Sequence, residues 1–284
     1  MYEGFYGFRE RAFRKTPDPR FLFLSEAYEE ALEQLLFAVE EMELALLTGE
    51  VGAGKTLLTR ALVDRVGERH EVGMILNPRL SPRQFLAAVA AEIGVPAPKF
   101  HAVDLHAQLQ DRLVELDEQG RGALLIVDEA HLIPERATFE EIRLLTNFQL
   151  DDRNLISVLL VGQPELRQRL RHRAYRALTQ RIGAQFHLPA LGAADVPRYL
   201  AHRVQVAGGP EGVFEADAAL RLHEASGGVP RVLNQLATQA LIEGMARGRA
   251  RVGAAEVDAV CENLDFLDPL PRRADVAAFP AARR

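Results

Sequence analysis

The sequence predicts an α/β protein, a five-stranded parallel sheet sandwiched by helices and followed by a small all-helical domain. Three observations predict it. Short apolar runs of strand length alternate with segments of helical spacing as far as Leu188. A glycine-rich octapeptide, Gly49-Glu-Val-Gly-Ala-Gly-Lys-Thr56, joins the first of those runs to a helix. From Gly192 onward the strand pattern stops while helical spacing continues.

Composition is that of ordinary globular material, 284 residues with 48% hydrophobic and 26% charged. A net charge of −6 gives no global case for nucleic-acid binding, although a local basic face is compatible with it. The single Cys261 excludes an internal disulfide framework and fits a reducing compartment. No stretch reaches the ~18 uninterrupted apolar residues of a membrane span, and charge interrupts Met1 to Arg9 too early for a signal peptide. The expected location is the cytoplasm.

Residues 1–30 read as an ordered lead-in. The prolines of Thr16-Pro-Asp-Pro19 enforce an extended path, and Phe5, Phe8, Phe13, Phe21 and Phe23 are expected to pack against the domain that follows. Ser25 is the expected N-cap of a helix with Tyr28, Leu32, Leu35, Leu36 and Val39 on one face. The core spans residues 31–190, with strands expected at 44–48, 72–76, 123–127, 156–161 and 184–188. Ser81-Pro82 pairs an N-cap with proline at the first helical position, and Gly120 closes the helix from about Asp104. A further helix runs through Glu140 to Phe148, and Arg-rich helices precede the last strand. Ligands of such sheets bind at the carboxyl ends of the strands. Gly49, Asp128, Gln163 and the segment before Ala184 are therefore expected along one rim. Helices near 195–206, 215–225, 230–246 and 254–264 make the helical domain, residues 191–266, and residues 267–284 read as a disordered tail.

The octapeptide is G-x-x-x-x-G-K-[ST] in full and sits between strand and helix, the context that a phosphate-binding loop requires. Its glycines let the backbone wrap an anion while N–H groups of the loop and of the helix's first turn point inward. Gly49, Glu50, Val51, Gly52, Ala53, Gly54, Lys55, Thr56 and Leu57 are thus the candidate nucleotide-binding residues. Lys55 supplies a compact positive charge for the β and γ phosphates in a chain whose basic residues are nearly all Arg, and the Thr56 hydroxyl can ligate Mg²⁺.

Asp128 and Glu129 end the apolar run Ala123-Leu-Leu-Ile-Val127. Asp128 can hold Mg²⁺ through its water shell, and Glu129 can polarise a water for in-line attack on the γ phosphate. Gln163 ends the fourth strand, where a polar side chain can report the γ phosphate and orient that water. Arg181, in Thr179-Gln-Arg-Ile182, lies on the domain edge and could reach a neighbouring subunit's nucleotide. Arg231 follows the turn Gly227-Gly-Val-Pro230 in the first turn of a helix, where it could fold over the phosphates and couple nucleotide state to domain angle.

With these residues assembled, the chain resembles the AAA+ ATPases, a P-loop NTPase family, and more narrowly the ExeA-like ATPases of general secretion and pilus assembly. The resemblance covers about residues 1–266. It rests on Phe5-Tyr-Gly-Phe8, Thr16-Pro-Asp-Pro19, Thr48 to Thr56, Ile126-Val-Asp-Glu-Ala-His131, Gly162-Gln-Pro-Glu-Leu166, Gln180-Arg-Ile182 and Gly228-Val-Pro-Arg231. It implies Walker A roles for Lys55 and Thr56 and Walker B roles for Asp128 and Glu129. It further implies sensor 1 for Gln163, an arginine finger for Arg181 and sensor 2 for Arg231, with Tyr28 as an adenine contact. The implied activity is ATP hydrolysis with Mg²⁺, by an oligomer that holds nucleotide between subunits under a helical lid, acting on a protein partner of a secretion or pilus system. Related AAA+ proteins are DNA-transposition helpers, so DNA is the alternative partner. Longer members continue into a membrane span and a peptidoglycan-binding domain, and the expectation here is a short form without them. Asp128-Glu-Ala-His131 also resembles a helicase motif, but such helicases need two sheet domains, so His131 is expected to be a loop or capping residue.

Overall fold

The computed structural model describes residues 1–14, 16, 18–96 and 101–263. Pro17 of the extended lead-in, Pro98 and the tail expected from 267 lie outside the described residues. The helices are α1 (Tyr2–Tyr6), α2 (Glu26–Glu40), α3 (Lys55–Val66), α4 (Pro82–Glu92), α5 (Ala102–Glu118), α6 (Arg136–Leu145), α7 (Pro164–Leu170), α8 (Arg176–Thr179), α9 (Asp195–Val206), α10 (Ala216–Ser226), α11 (Pro230–Ala246) and α12 (Ala254–Asn263). The strands are β1 (Leu44–Gly49), β2 (His70–Ile75), β3 (Gly122–Val127), β4 (Ser157–Gly162) and β5 (Ile182–Leu188). They form two compact units, Leu24–Pro189 and, as one body, Met1–Phe23 with the described residues of 190–263.

The first unit is the α/β core. Its sheet is wholly parallel in the order β2-β3-β4-β1-β5. Alternation in the strands divides the apolar residues between two faces. Leu44, Leu46, Leu125, Val127, Val158 and Leu160 join Phe85, Leu105, Phe139 and Ile142 in one hydrophobic cluster. The opposite face is covered by α2 and α3, which explains why β1 and β4 are buried along their whole length. Local signals act as the sequence predicts at α4, where Ser81 and Gln84 form a reciprocal capping box. At α2 the N-cap position is Ser25, but its side chain makes no capping bond.

The second unit shows where the aromatic lead-in packs. These side chains were expected on the domain that follows them; instead the structure seats them on the C-terminal helices. Phe21 is buried, Phe13 meets Phe214 edge-on at 5.7 Å, and Phe23 meets Tyr199 at 5.8 Å. Phe5 is 46% exposed and does not share in the packing as expected. The reason is Arg203 of α9, a buried guanidinium that donates to the Ala12 carbonyl at 2.7 Å and to the Tyr199 hydroxyl at 3.0 Å. Its charge lies over the Phe13, Phe21 and Tyr199 rings at 5.7, 4.9 and 5.6 Å, so the lead-in supplies one acceptor and two of the π faces that hold this buried cation. Arg203→Ala is expected to lower stability by about 2–4 kcal/mol, the loss of charged hydrogen bonds together with cation–π contacts, read as an earlier urea midpoint.

Candidate active site

The phosphate-type loop begins where β1 runs out. Gly49 pairs with Leu188, and a Cβ there would lie 2.9 Å from the Leu188 carbonyl oxygen, so only glycine lets the two strand ends close up. Gly52 and Gly54 then adopt φ of 83° and 103°, turning the chain back on itself before α3 starts at Lys55. The amides of Leu57 and Leu58 bond to the Gly54 carbonyl, both at 3.0 Å, closing the first turn. The Lys55 ammonium crosses the loop, donating to the Gly49 carbonyl at 2.7 Å and the Glu50 carbonyl at 3.0 Å, and is 8% exposed. Glu50, Val51 and Thr56 are exposed, while Ala53 is buried.

Tyr28 of α2 supports this loop from beneath. Its hydroxyl donates to the Ala53 carbonyl, and its ring lies so close to Gly54 that a Cβ on that residue would be 3.1 Å from the hydroxyl oxygen. The sequence indicated a buried aromatic on an apolar helix face; the polar end finds the loop backbone.

Two strands away, the Asp128 amide continues the β2–β3 ladder by bonding to the Ile75 carbonyl at 2.9 Å. Its carboxylate accepts the Glu129 amide at 2.8 Å. Burial pushes the Asp128 carboxyl above its ordinary range and the charge of Glu129 adds to this, while Lys55 and His131 pull the other way. Glu129 has φ 50° and ψ 35°, a left-handed conformation that costs a non-glycine residue about 1–3 kcal/mol. It turns the chain sharply into the single helical turn Ala130–Leu132. Gln163 directly follows β4 and precedes α7, and its amide donates to His131 Nδ1 at 3.4 Å.

Because β3, β4 and β1 are neighbours in a parallel sheet, Gly49, Asp128, Glu129 and Gln163 share the carboxyl edge. Arg181 does not. It immediately precedes β5, and Ile182 is in register with Leu44, the first residue of β1. Arg181 therefore lies at the amino end of the sheet, about 17 Å of strand away from the loop, and the expectation that the segment before Ala184 joins the same rim is corrected. Its guanidinium is exposed and donates to Asn147 Oδ1 at 2.7 Å. Arg231 is exposed in the first turn of α11, in the other unit, after a turn in which Gly227 and Gly228 have φ of 58° and 74°. The carbonyl of Leu191 fills the space where a Gly228 side chain would begin.

Two residues at this edge have surroundings that the sequence reading did not place. His187 of β5 is in register with Thr48, and its Nδ1 lies 3.1 Å from the Thr48 hydroxyl. Burial, with help from Arg167 and Lys55, lowers the His187 pKa and favours the neutral ring. The only signal was a polar residue near the end of each of two apolar strands. The other is His131, expected as a loop or capping residue, which lies between Glu129 and Gln163, 3.4 Å from each.

A model of the AAA domain matches residues 40–170. The chain is 40% identical over 255 residues to General secretion pathway protein A of Aeromonas hydrophila, covering 89% of this chain and 46% of that protein. The chain thus spans about half the length of the curated relative it matches. Among solved structures, the ORC2 protein of Aeropyrum pernix aligns with a TM-score of 0.65 at 21% identity, over 89% of this chain and 71% of the other. The RuvB Holliday junction branch migration motor of Thermotoga maritima aligns at 0.59 and 19%, over 90% and 74%. Both likenesses concern the fold alone. Sheet order, loop and strand tips define a fold of the P-loop type, and residues 40–170 of the chain match an AAA domain. The chain is similar, over most of its own length, to the secretion protein of Aeromonas.

Removing the hydroxyl beneath the loop should be felt by the nucleotide. Tyr28→Phe is expected to weaken ATP binding about fivefold, the worth of one hydrogen bond of ~1 kcal/mol, measured by calorimetric titration.

Proposed function

We infer that the chain binds ATP with Mg²⁺ at the carboxyl edge of its sheet and hydrolyses it to drive assembly or remodelling of a secretion or pilus-type complex. The observation that carries the chemistry is the convergence of the Lys55 loop, Asp128, Glu129 and Gln163 on adjacent strand ends. The 40% identity to General secretion pathway protein A supports the biological setting.

In this assignment Lys55 exchanges loop carbonyls for β and γ phosphate oxygens, and the backbone from Gly49 to Leu57 wraps the remaining phosphate charge. The donors present fit a small hard cation. Asp128 offers a carboxylate that burial makes costly to leave charged without a cation nearby, and Thr56 offers an exposed hydroxyl on the first turn of α3. No group of three or more His, Cys, Asp and Glu side chains forms a metal site among the described residues, so the phosphates would complete the shell. Bound Mg²⁺ would neutralise charge that develops on the transferred phosphoryl group. Glu129 holds the attacking water and takes its proton, and Gln163 orients that water from the adjoining strand.

Arg181 cannot reach the loop of its own chain across about 17 Å of strand, which supports a finger supplied to a neighbouring copy. Arg231 would act from the helical unit as the lid residue, against the phosphates. A homo-oligomer with shared sites follows from the Arg181 assignment. No described helix is long and apolar enough to cross a membrane.

Glu129→Gln is expected to keep ATP affinity while turnover falls by about a hundredfold or more, measured as phosphate release against calorimetric binding. Retained turnover would remove Glu129 from the mechanism. Arg181→Ala is expected to be inactive alone and to regain activity when mixed with Glu129→Gln, because each protein supplies the part that the other lacks. An active Arg181→Ala protein, or a mixture that stays silent, would rule out the shared site. The Glu129→Gln form held with ATP should retain a secretion or pilus protein from source cells; retention of DNA alone would replace that partner.

A further inference from the structure

His131 occupies a position that none of the roles above uses. The left-handed turn at Glu129 and the helical turn after it, closed by the Leu132 amide on the Glu129 carbonyl at 2.8 Å, carry the chain from the end of β3 to the end of β4. A Cβ on Gly162 would meet the Leu166 side chain at 2.7 Å and would sit 3.4 Å from the His131 backbone nitrogen, so His131 lies in ordinary contact with the last residue of β4. The imidazole is 12% exposed by side chain. One ring atom, Nδ1, faces two groups: it accepts the Gln163 amide at 3.4 Å and stands 3.4 Å from Glu129 Oε2. That oxygen is buried and has no hydrogen-bond partner, so 3.4 Å is here a close approach without a formed bond.

A neutral imidazole carries its proton on one nitrogen only. With the proton on Nε2, Nδ1 accepts from Gln163 and leaves Glu129 without a donor. With the proton on Nδ1, the ring donates to Glu129 and the Gln163 amide loses its acceptor. The two bonds exclude each other, and at 3.4 Å neither contact is a well-formed hydrogen bond. A buried carboxylate oxygen left without a donor is costly, which biases such a choice.

We propose that His131 is a positioning residue that links the strand end carrying Gln163 to the Glu129 carboxylate, so that a shift at Gln163 sets whether Glu129 is held on the ring or released toward water. This rests on the assignment of Glu129 as the group that activates water. His131 acts by deciding where Glu129 points. A displacement of a catalytic group by about 1 Å suffices to change rate about a hundredfold, so the effect belongs in kcat.

The test uses the whole chain with MgATP as substrate. His131→Ala is expected to lower kcat about tenfold to a hundredfold while KM for ATP and calorimetric affinity change less than about threefold. His131→Asn places an amide able to donate or accept near the Nδ1 position and is expected to recover most of the loss. Unaltered kcat in His131→Ala, a loss expressed in KM, or failure of Asn to rescue a variant with wild-type ATP affinity would overturn the proposal. A measurement on the unmodified protein covers the case of variants that do not fold. ¹⁵N chemical shifts of the His131 ring should report different tautomer populations with and without a non-hydrolysable ATP analogue and Mg²⁺, and one unchanged tautomer overturns the link. Should Glu129→Gln itself turn over normally, the water-activating assignment fails; should Glu129→Gln be inactive and His131→Ala normal, only the link fails.

Discussion

Parallel pairing of β3, β4 and β1 is the constraint on which the site depends. In a parallel sheet every strand presents its carboxyl end on the same edge, so residues 49, 128 and 163 become neighbours although about a hundred positions of sequence separate the outer two. Nothing local could bring them together. The pairing is held by apolar runs buried on both faces, with α2 and α3 on one side and the cluster around Phe85, Leu105 and Phe139 on the other. Polar chemistry is confined to the strand tips because the strands themselves have no room for it.

At those tips, glycine repeatedly decides how close two segments may come. Gly49 admits the Leu188 carbonyl, Gly162 admits the Leu166 side chain, and Gly54 lies against the Tyr28 ring. Against these sit two costly features, the left-handed Glu129 and the desolvated Asp128 carboxyl. Strain and buried charge side by side at one strand end are expected of residues held for chemistry, since neither contributes to stability.

How much of this was legible depends on range. The loop, the strand tip Asp128-Glu129 and the capping of α4 are contiguous patterns, and local spacing specified them. The end of the sheet occupied by Arg181 also follows from chain direction, since a residue before a parallel strand lies opposite one that comes after it; the expectation overlooked this. Tyr28 was expected on an apolar helix face and as an adenine contact, and His187 was visible only as a strand histidine; their partners Ala53 and Thr48 are chosen by packing. The seat of the lead-in was out of reach for the same reason. Phe13 and Phe21 announced burial, but the buried Arg203 that selects them stands 191 positions after Ala12 in the sequence.

That separation has a consequence during synthesis. Ribosomes add about 5–20 residues per second, so the lead-in emerges on the order of ten to forty seconds before Arg203 exists. Throughout that interval Phe13, Phe21 and Phe23 have no native partner, while the whole α/β core is made and can fold. A segment made before the core is thus seated after it, and for that time its aromatics are the surface that a nascent-chain chaperone would meet.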